Sequence, residues 1–252
     1  MAFSENLADR IKRNGIFAVI DPSLDFESIP AQIELANKYP KYIRIVIGVS
    51  PAWCFKTRWE NRKRLEKLLK EGSFAAVGEI GLDYCGSRIM QHRLIQKRWF
   101  SYQIELAGKL HLPLILHIKN ADSDALKILK KHRDILHGGV VHCFNGDYET
   151  AQQYIQLGFA VGTSGQIFAD DGRAEKLRDV VEQMSLTDII LDAPYLSLRN
   201  AGKELNRKQW LVIRNFSLVQ PKIARKIAEI KGLSLDEVEK VTLQNVSQIF
   251  GK

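Results

Sequence analysis

The sequence predicts an α/β fold, a TIM-type (β/α) barrel of parallel strands. Three observations predict it. Short apolar runs alternate with helical patterns along most of the chain, which implies βαβ units with right-handed crossovers. The length of 252 residues is close to the roughly 250 that such barrels occupy as one domain, so residues 1–252 are expected to form a single domain. Four of the apolar runs lead into metal-ligand residue types, Glu79, His117, His142 and Asp192. In a parallel barrel those strand ends share the ligand-binding face.

Taken in order, residues 4–14 are predicted helical, with Ser4 as cap and Leu7 and Ile11 on one face. Gly15 ends that helix, and residues 16–20 form a buried strand. A helix over about 26–38 with Ile29, Ile33, Leu35 and Ala36 as its stripe leads to a strand over 42–48. The next helix, about 59–70, buries Leu65, Leu68 and Leu69 and carries a run of basic residues outward. The apolar run Phe74 to Val77 is a third strand, delivering Glu79 between Gly78 and Gly81, where missing side chains let backbone or ligand approach. A long helix over about 90–110 follows, with Leu94, Trp99, Ile104 and Leu106 among its apolar residues. The unit then repeats, with strands over 113–118, 138–144, 159–163 and 188–192 and helices over 122–132, 147–157 and 173–184. That is seven strands, one short of a closed eight-stranded barrel. The tail is helical, from Pro221 to Ile230 and again after the capping box Ser234 to Glu237.

Composition narrows the compartment and the partner. Three cysteines, Cys54, Cys85 and Cys143, lack CxxC spacing and fit reduced thiols. No apolar run approaches the roughly 18 residues of a membrane span, and the first residues do not resemble a secretory leader. A cytoplasmic protein is expected. The net charge of +8 points to an anionic partner, nucleic acid before membrane.

A carboxylate, two histidines and a second carboxylate can hold a divalent cation with open positions for water and substrate. After Asp192 the stretch from Leu198 to Lys208 is basic and falls on the expected ligand face. Arg199, Lys203 and Arg207 there, with Lys119 and Arg214, are candidates for contacts to a nucleic-acid backbone. Tyr84, Phe144 and Tyr195 lie beside these motifs and could stack on bases. Cys143 has no base beside it in sequence that would activate it and is taken as structural.

Gly78 to Tyr84 (GEIGLDY), the LPLILH run ending at His117, His142 to Gly146 (HCFNG) and Asp192 to Leu196 (DAPYL) resemble the successive signatures of the TatD-like metal-dependent deoxyribonucleases. Thr242 and Asn245 before Ile249 and Phe250 resemble that family's closing helix. The resemblance covers nearly the whole chain from Gly15. It implies metal-dependent hydrolysis of phosphodiester bonds in DNA, commonly as an exonuclease on single strands. Carried over by residue, Glu79, His117 and His142 match ligands of one metal position and Asp192 matches the family's final aspartate; Glu79 and Asp192 are expected as the catalytic carboxylates.

The sequence also departs from the family pattern. The first-strand His-x-His pair is absent, and no histidine precedes His92. A Glu-Thr pair is missing before Asp192, and Lys119 stands where the family has arginine, which alone offers a bidentate fork to phosphate. The resemblance with these departures implies one divalent ion rather than two, Mg²⁺ or Mn²⁺ before Zn²⁺, and reduced activity. It also implies an open barrel edge that a second copy or another partner would cover. Two other readings compete: a catalytically degenerate member that binds nucleic acid or protein, and an ester- or amide-cleaving hydrolase using the same metal chemistry.

Overall fold

The computed structural model describes residues 19–23, 26–85, 90–192 and 220–251. The expected helix over 4–14, most of the strand over 16–20, and the basic stretch 198–208 lie outside the described residues. The chain divides into two compact units, and the boundary falls between Gly139 and Val140.

In the first unit the strands are β1 (Val19–Pro22), β2 (Ile43–Ile47), β3 (Ala76–Asp83) and β4 (Leu114–Lys119), side by side in chain order and all parallel. Helices α1 (Ile29–Lys38), α2 (Arg62–Glu71), α3 (Met90–Leu110) and α4 (Asp122–Lys131) follow successive strands. Strand β5 (Gly139–His142) begins at the boundary. The second unit continues with α5 (Tyr148–Ile155), β6 (Phe159–Thr163), α6 (Gly172–Gln183), β7 (Ile189–Leu191), α7 (Gln220–Lys231) and α8 (Leu235–Phe250). This is the α/β alternation that the sequence predicts, with seven strands among the described residues. No helix there is long and apolar enough to cross a membrane.

The strands are apolar because parallel strands are covered on both faces. Val46, Ile47, Ile80, Leu82 and Leu116 are fully buried in the first unit, as are Val161, Ile189 and Ile227 in the second. Against that background the half-buried positions stand out. In β3 they are Glu79 and Asp83, in β4 His117 and Lys119, and in β5 His142.

Three elements differ from expectation. Strand β3 does not end before Gly78 but runs on through both glycines to Asp83, so Glu79 sits inside a strand and not at its end. Its register against β4 shifts between Val77 and Ile80. Leu94, named among the apolar residues of α3, is 58% exposed, and the buried face of that helix carries Gln96, Trp99, Phe100 and Gln103. In α8 the polar Thr242 and Asn245 are buried along with Val238 and Phe250. Ser234 caps α8 as its motif predicts, its Oγ accepting from the Glu237 N–H at 3.2 Å.

The buried amides of α3 and α8 explain those polar residues. Gln103 Oε1 accepts from the Val49 N–H at 2.6 Å while its Nε2 donates to the Val49 carbonyl at 3.1 Å. Asn245 Nδ2 donates to the carbonyls of Leu186 and Ile189, at 2.9 and 2.8 Å, fixing the start of β7. Backbone groups beyond the ladder need partners when buried, and these side chains supply them.

Asp21 is the carboxyl of β1 and is half-buried. Its Oδ2 accepts from Gln32 Nε2 at 3.1 Å. Burial pushes its pKa above the ordinary value, and the Gln32 bond only partly opposes this.

Two outcomes follow from these contacts. Gln103→Leu strands both polar groups of Val49 and should cost roughly 2–4 kcal/mol, a Tm drop on the order of 5–10 °C by calorimetry. Asp21→Asn should raise Tm near neutral pH. A carboxyl with a raised folded pKa destabilises once pH climbs past the unfolded value, so the gain should shrink as pH falls below about 4.

Candidate functional site

Among the described residues, each unit carries a cluster of ligand-type side chains. In the first unit it is built by the close approach of β3 to β4. Gly81 lies opposite His117 in the register, at φ 142°, and a Cβ there would strike the His117 carbonyl. A Cβ on Gly78 would lie 2.7 Å from Cβ of Ile115. Both positions need glycine. Glu79 and Asp83 are four residues apart, so they fall on the same face of the strand. The His117 ring lies between them, with Nδ1 3.6 Å from Glu79 Oε2 and Nε2 3.4 Å from Asp83 Oδ2.

Asp83 is itself fixed from two sides. Its Oδ1 accepts from the Cys85 N–H at 2.8 Å. Gln96 of α3 grips its backbone, Oε1 accepting from the Asp83 N–H and Nε2 donating to the Asp83 carbonyl, both at 2.9 Å. Burial alone would raise the Asp83 pKa, but the bonds from His117 and Cys85 outweigh it and hold the carboxyl below its usual range. For His117 burial works against protonation, yet the two carboxylates together raise its pKa.

In the second unit β5 ends at His142, and β7 runs directly into Asp192. The register pairs Leu191 with Thr163, and the Asp192 N–H donates to the Thr163 carbonyl at 2.9 Å. Asp192 Oδ2 lies 2.8 Å from His142 Nδ1 and accepts from the Cys143 N–H at 2.7 Å. Gly162 makes room for it: a Cβ there would stand 2.5 Å from Asp192 Oδ2. Cys143 has φ 49°, a left-handed conformation costing about 1–2 kcal/mol outside glycine. That twist goes with its N–H pointing at the carboxylate, a charge-assisted bond that offsets the strain. Cys143 Sγ lies 3.5 Å from His142 Nε2. Burial opposes a proton on His142, but Asp192 first and then Cys143 overcome it and raise its pKa well above the ordinary value.

Both clusters suit a cation. His117 turns one ring nitrogen to each carboxylate, so one nitrogen can keep its proton while the other gives its lone pair to an ion. That is how outer carboxylates orient metal-ligating histidines. The donor atoms of His142, Cys143 and Asp192 lie within 4.8 Å of one another, a spread that small side-chain adjustments close around an ion at roughly 2.0–2.3 Å from each.

The structure thus pairs Glu79 with His117 and His142 with Asp192. Lys119 is half-buried at the end of β4, in register with Asp83. Arg199, Lys203, Arg207, Arg214 and Tyr195 lie outside the described residues. Phe144 is not available to bases: it is 2% exposed and packs edge-on against Tyr154. Tyr84 is engaged as well, its hydroxyl 2.8 Å from Asp124 Oδ2 and its ring under the Arg93 guanidinium. The sequence reading missed Asp83, Gln96 and the ligand geometry of Cys143. Only Asp83 carried a signal, its spacing of four from Glu79 along a strand.

Ligand-type residues on successive strands of a parallel α/β fold define a metal-dependent hydrolase class. The family model described as TatD related DNase matches residues 2–251. The chain belongs to that family. It is 30% identical to the uncharacterized metal-dependent hydrolase YjjV of Escherichia coli, over 96% of this chain and 89% of the relative. It is also 30% identical to the 3'-5' ssDNA/RNA exonuclease TatD of a Rahnella species, over 89% and 82%. The crystal structure of E. coli YjjV, a TatD homologue, superposes with a TM-score of 0.80 at 26% identity, covering 97% of this chain and 90% of that one. A TatD family hydrolase from Entamoeba histolytica shares the fold, with a TM-score of 0.75 at 23% identity over 96% and 87%.

Asp83→Asn keeps the shape of the side chain but removes the charge that orients His117. It should lower divalent-metal affinity by about 10–100-fold in isothermal titration calorimetry, with the circular dichroism spectrum unchanged.

Proposed function

We propose that this chain is a metal-dependent nuclease that hydrolyses phosphodiester bonds in single-stranded DNA, working from an end. The observation that carries the reading is the His117 ring set between Glu79 and Asp83, on a chain whose relatives include a named single-strand exonuclease. The residues proposed as ligands for a divalent ion are Glu79 and His117 in the first unit and His142 and Asp192 in the second. Mg²⁺ or Mn²⁺ suits the carboxylates. A bound ion supplies a polarised phosphoryl oxygen and a water of lowered pKa.

The chain's own groups do the rest. Glu79 and Asp192 are the carboxylates proposed to accept the proton of the attacking water. Asp83, held by Gln96, keeps the His117 ring in place. Lys119, Arg199, Lys203, Arg207 and Arg214 are proposed to neutralise phosphates of the strand, so binding should weaken with salt. The reading as a non-catalytic binding module is not favoured, because the relatives are named as hydrolases and exonucleases.

The test is cleavage of end-labelled single-stranded DNA with Mg²⁺ or Mn²⁺, compared with a chelator control and with His117→Ala and His142→Ala. Chelator-sensitive shortening from one end is expected, reduced in each variant by more than about 100-fold, beyond the loss that outer-shell changes cause. Cleavage that survives both the chelator and the variants would sink the reading.

A further inference from the structure

Two segments of the first unit lie together outside the clusters described above. One is the loop after β2, residues 50–61, and the other is the first half of α3. Both leave the carboxyl ends of their strands, β2 and β3, and Gln96 ties α3 directly to Asp83. Along α3, His92 and Trp99 are seven residues apart and so share a helix face. The loop lies along that face. The Phe55 ring sits 4.3 Å from the His92 ring, and the Trp59 ring sits edge-on to Trp99 at 4.9 Å.

What this arrangement shows to solvent is aromatic and cationic at once. Phe55 is 38% exposed, and so is Ile95 of α3. The Arg98 guanidinium lies 3.9 Å over the Trp59 ring, and Arg62 lies 5.2 Å from it. Lys56 sits 4.8 Å over Trp53. Among the described residues Arg98 and Lys56 have no carboxylate within ion-pair distance, whereas Arg58 is spent on Glu60 at 3.7 Å. An apolar docking face for a protein would bury those two free charges at a large desolvation cost. A nucleic-acid strand uses them. Bases stack on an aromatic face or on a guanidinium plane, and the phosphates between them need cations.

We propose that this ridge is a strand-holding subsite for single-stranded nucleic acid, with one base stacked on Phe55 and its His92 partner, another on the Arg98–Trp59 stack, and Lys56 on the intervening phosphate. The span from His92 to Trp99 is about 10 Å of helix, room for roughly three stacked nucleotides at about 3.4 Å each. The substrate class rests on the function proposed above. The ridge adds which surface holds the strand before it reaches the carboxylates.

The experiment is fluorescence anisotropy of a fluorescein-labelled decathymidylate on the full chain in the presence of chelator, so that binding is read without cleavage. Phe55→Ala and Arg98→Ala should each weaken binding by about tenfold, and Lys56→Ala should lower the slope of log affinity against log salt by about one. Leu243→Ser, an exposed apolar change on α8, should bind as the unmodified chain does and controls for surface changes in general. Arg98→Lys, which keeps the charge but not the plane, should fall between Arg98→Ala and the unmodified chain. Unchanged affinity in Phe55→Ala and Arg98→Ala, with both variants folded by circular dichroism, overturns the ridge. Full binding on the ridge by a chain that cleaves nothing with metal present would instead overturn the nuclease reading alone.

Discussion

The close approach of β3 to β4 is the constraint on which the first unit's chemistry depends. Gly78 and Gly81 remove the two β-carbons that would hold the strands apart, and at Gly81 the positive φ excludes other residues as well as the lack of space. Once the strands touch there, the geometry of the cluster follows from the pleat. Residues two before and two after Gly81 project to one side of the His117 backbone, and those residues are Glu79 and Asp83. A histidine between two carboxylates is costly to bury unless something positive sits among them. The two carboxylates accordingly raise the His117 pKa against the effect of burial.

Buried side-chain amides finish what the sheet cannot. A strand that outruns its neighbour leaves N–H and C=O groups unpaired, and an amide offers one donor and one acceptor at nearly the spacing of a missing strand. Gln96 and Gln103 are seven residues apart on α3, one helix face again, and they clamp Asp83 and Val49 in the same way. One helix therefore sets the exits of two strands. The aromatic ridge inherits its position from these clamps, because its loop departs just after Val49 and its helix is the one carrying both glutamines. Strand position, carboxylate placement and ridge are thus mechanically linked through α3.

Much of this was legible in the sequence, and the failures have a common cause. The alternation of apolar runs with amphipathic helices placed the described strands and helices within a few residues, since burial on both faces leaves a plain apolar signature. Glu79, His117, His142 and Asp192 were visible because polar residues are rare in such runs. The end of β3 was not visible, because glycines carry no side-chain pattern and here they continue a strand that periodicity would stop. Asp83 was hidden behind the same glycines. Cys143 looked inert because its meaning lies in a backbone twist and in Asp192, which is 49 residues away in sequence. Leu94 failed differently: helical spacing cannot tell that two glutamines will be buried to satisfy strand ends while a leucine is left outside.

The two clusters also show why attraction for a cation and retention of a proton come from the same groups. Carboxylates that draw a divalent ion toward His117 and His142 are the ones that raise the pKa of both imidazoles. An imidazole gives its lone pair to a metal only when that nitrogen has lost its proton, so loading an ion must release what the carboxylates hold. The competition is not equal in the two units. At His142 the Asp192 carboxylate stands at 2.8 Å with a sulfur beside it, while at His117 the Glu79 and Asp83 carboxylates stand back at 3.6 and 3.4 Å. The looser pair leaves more room between ring and carboxylate for an ion to enter. On this argument the glycines of β3 do more than admit Glu79 and Asp83: by setting them around His117 without closing onto it, they keep a cluster that is anionic enough to attract a metal and open enough to exchange a proton for it.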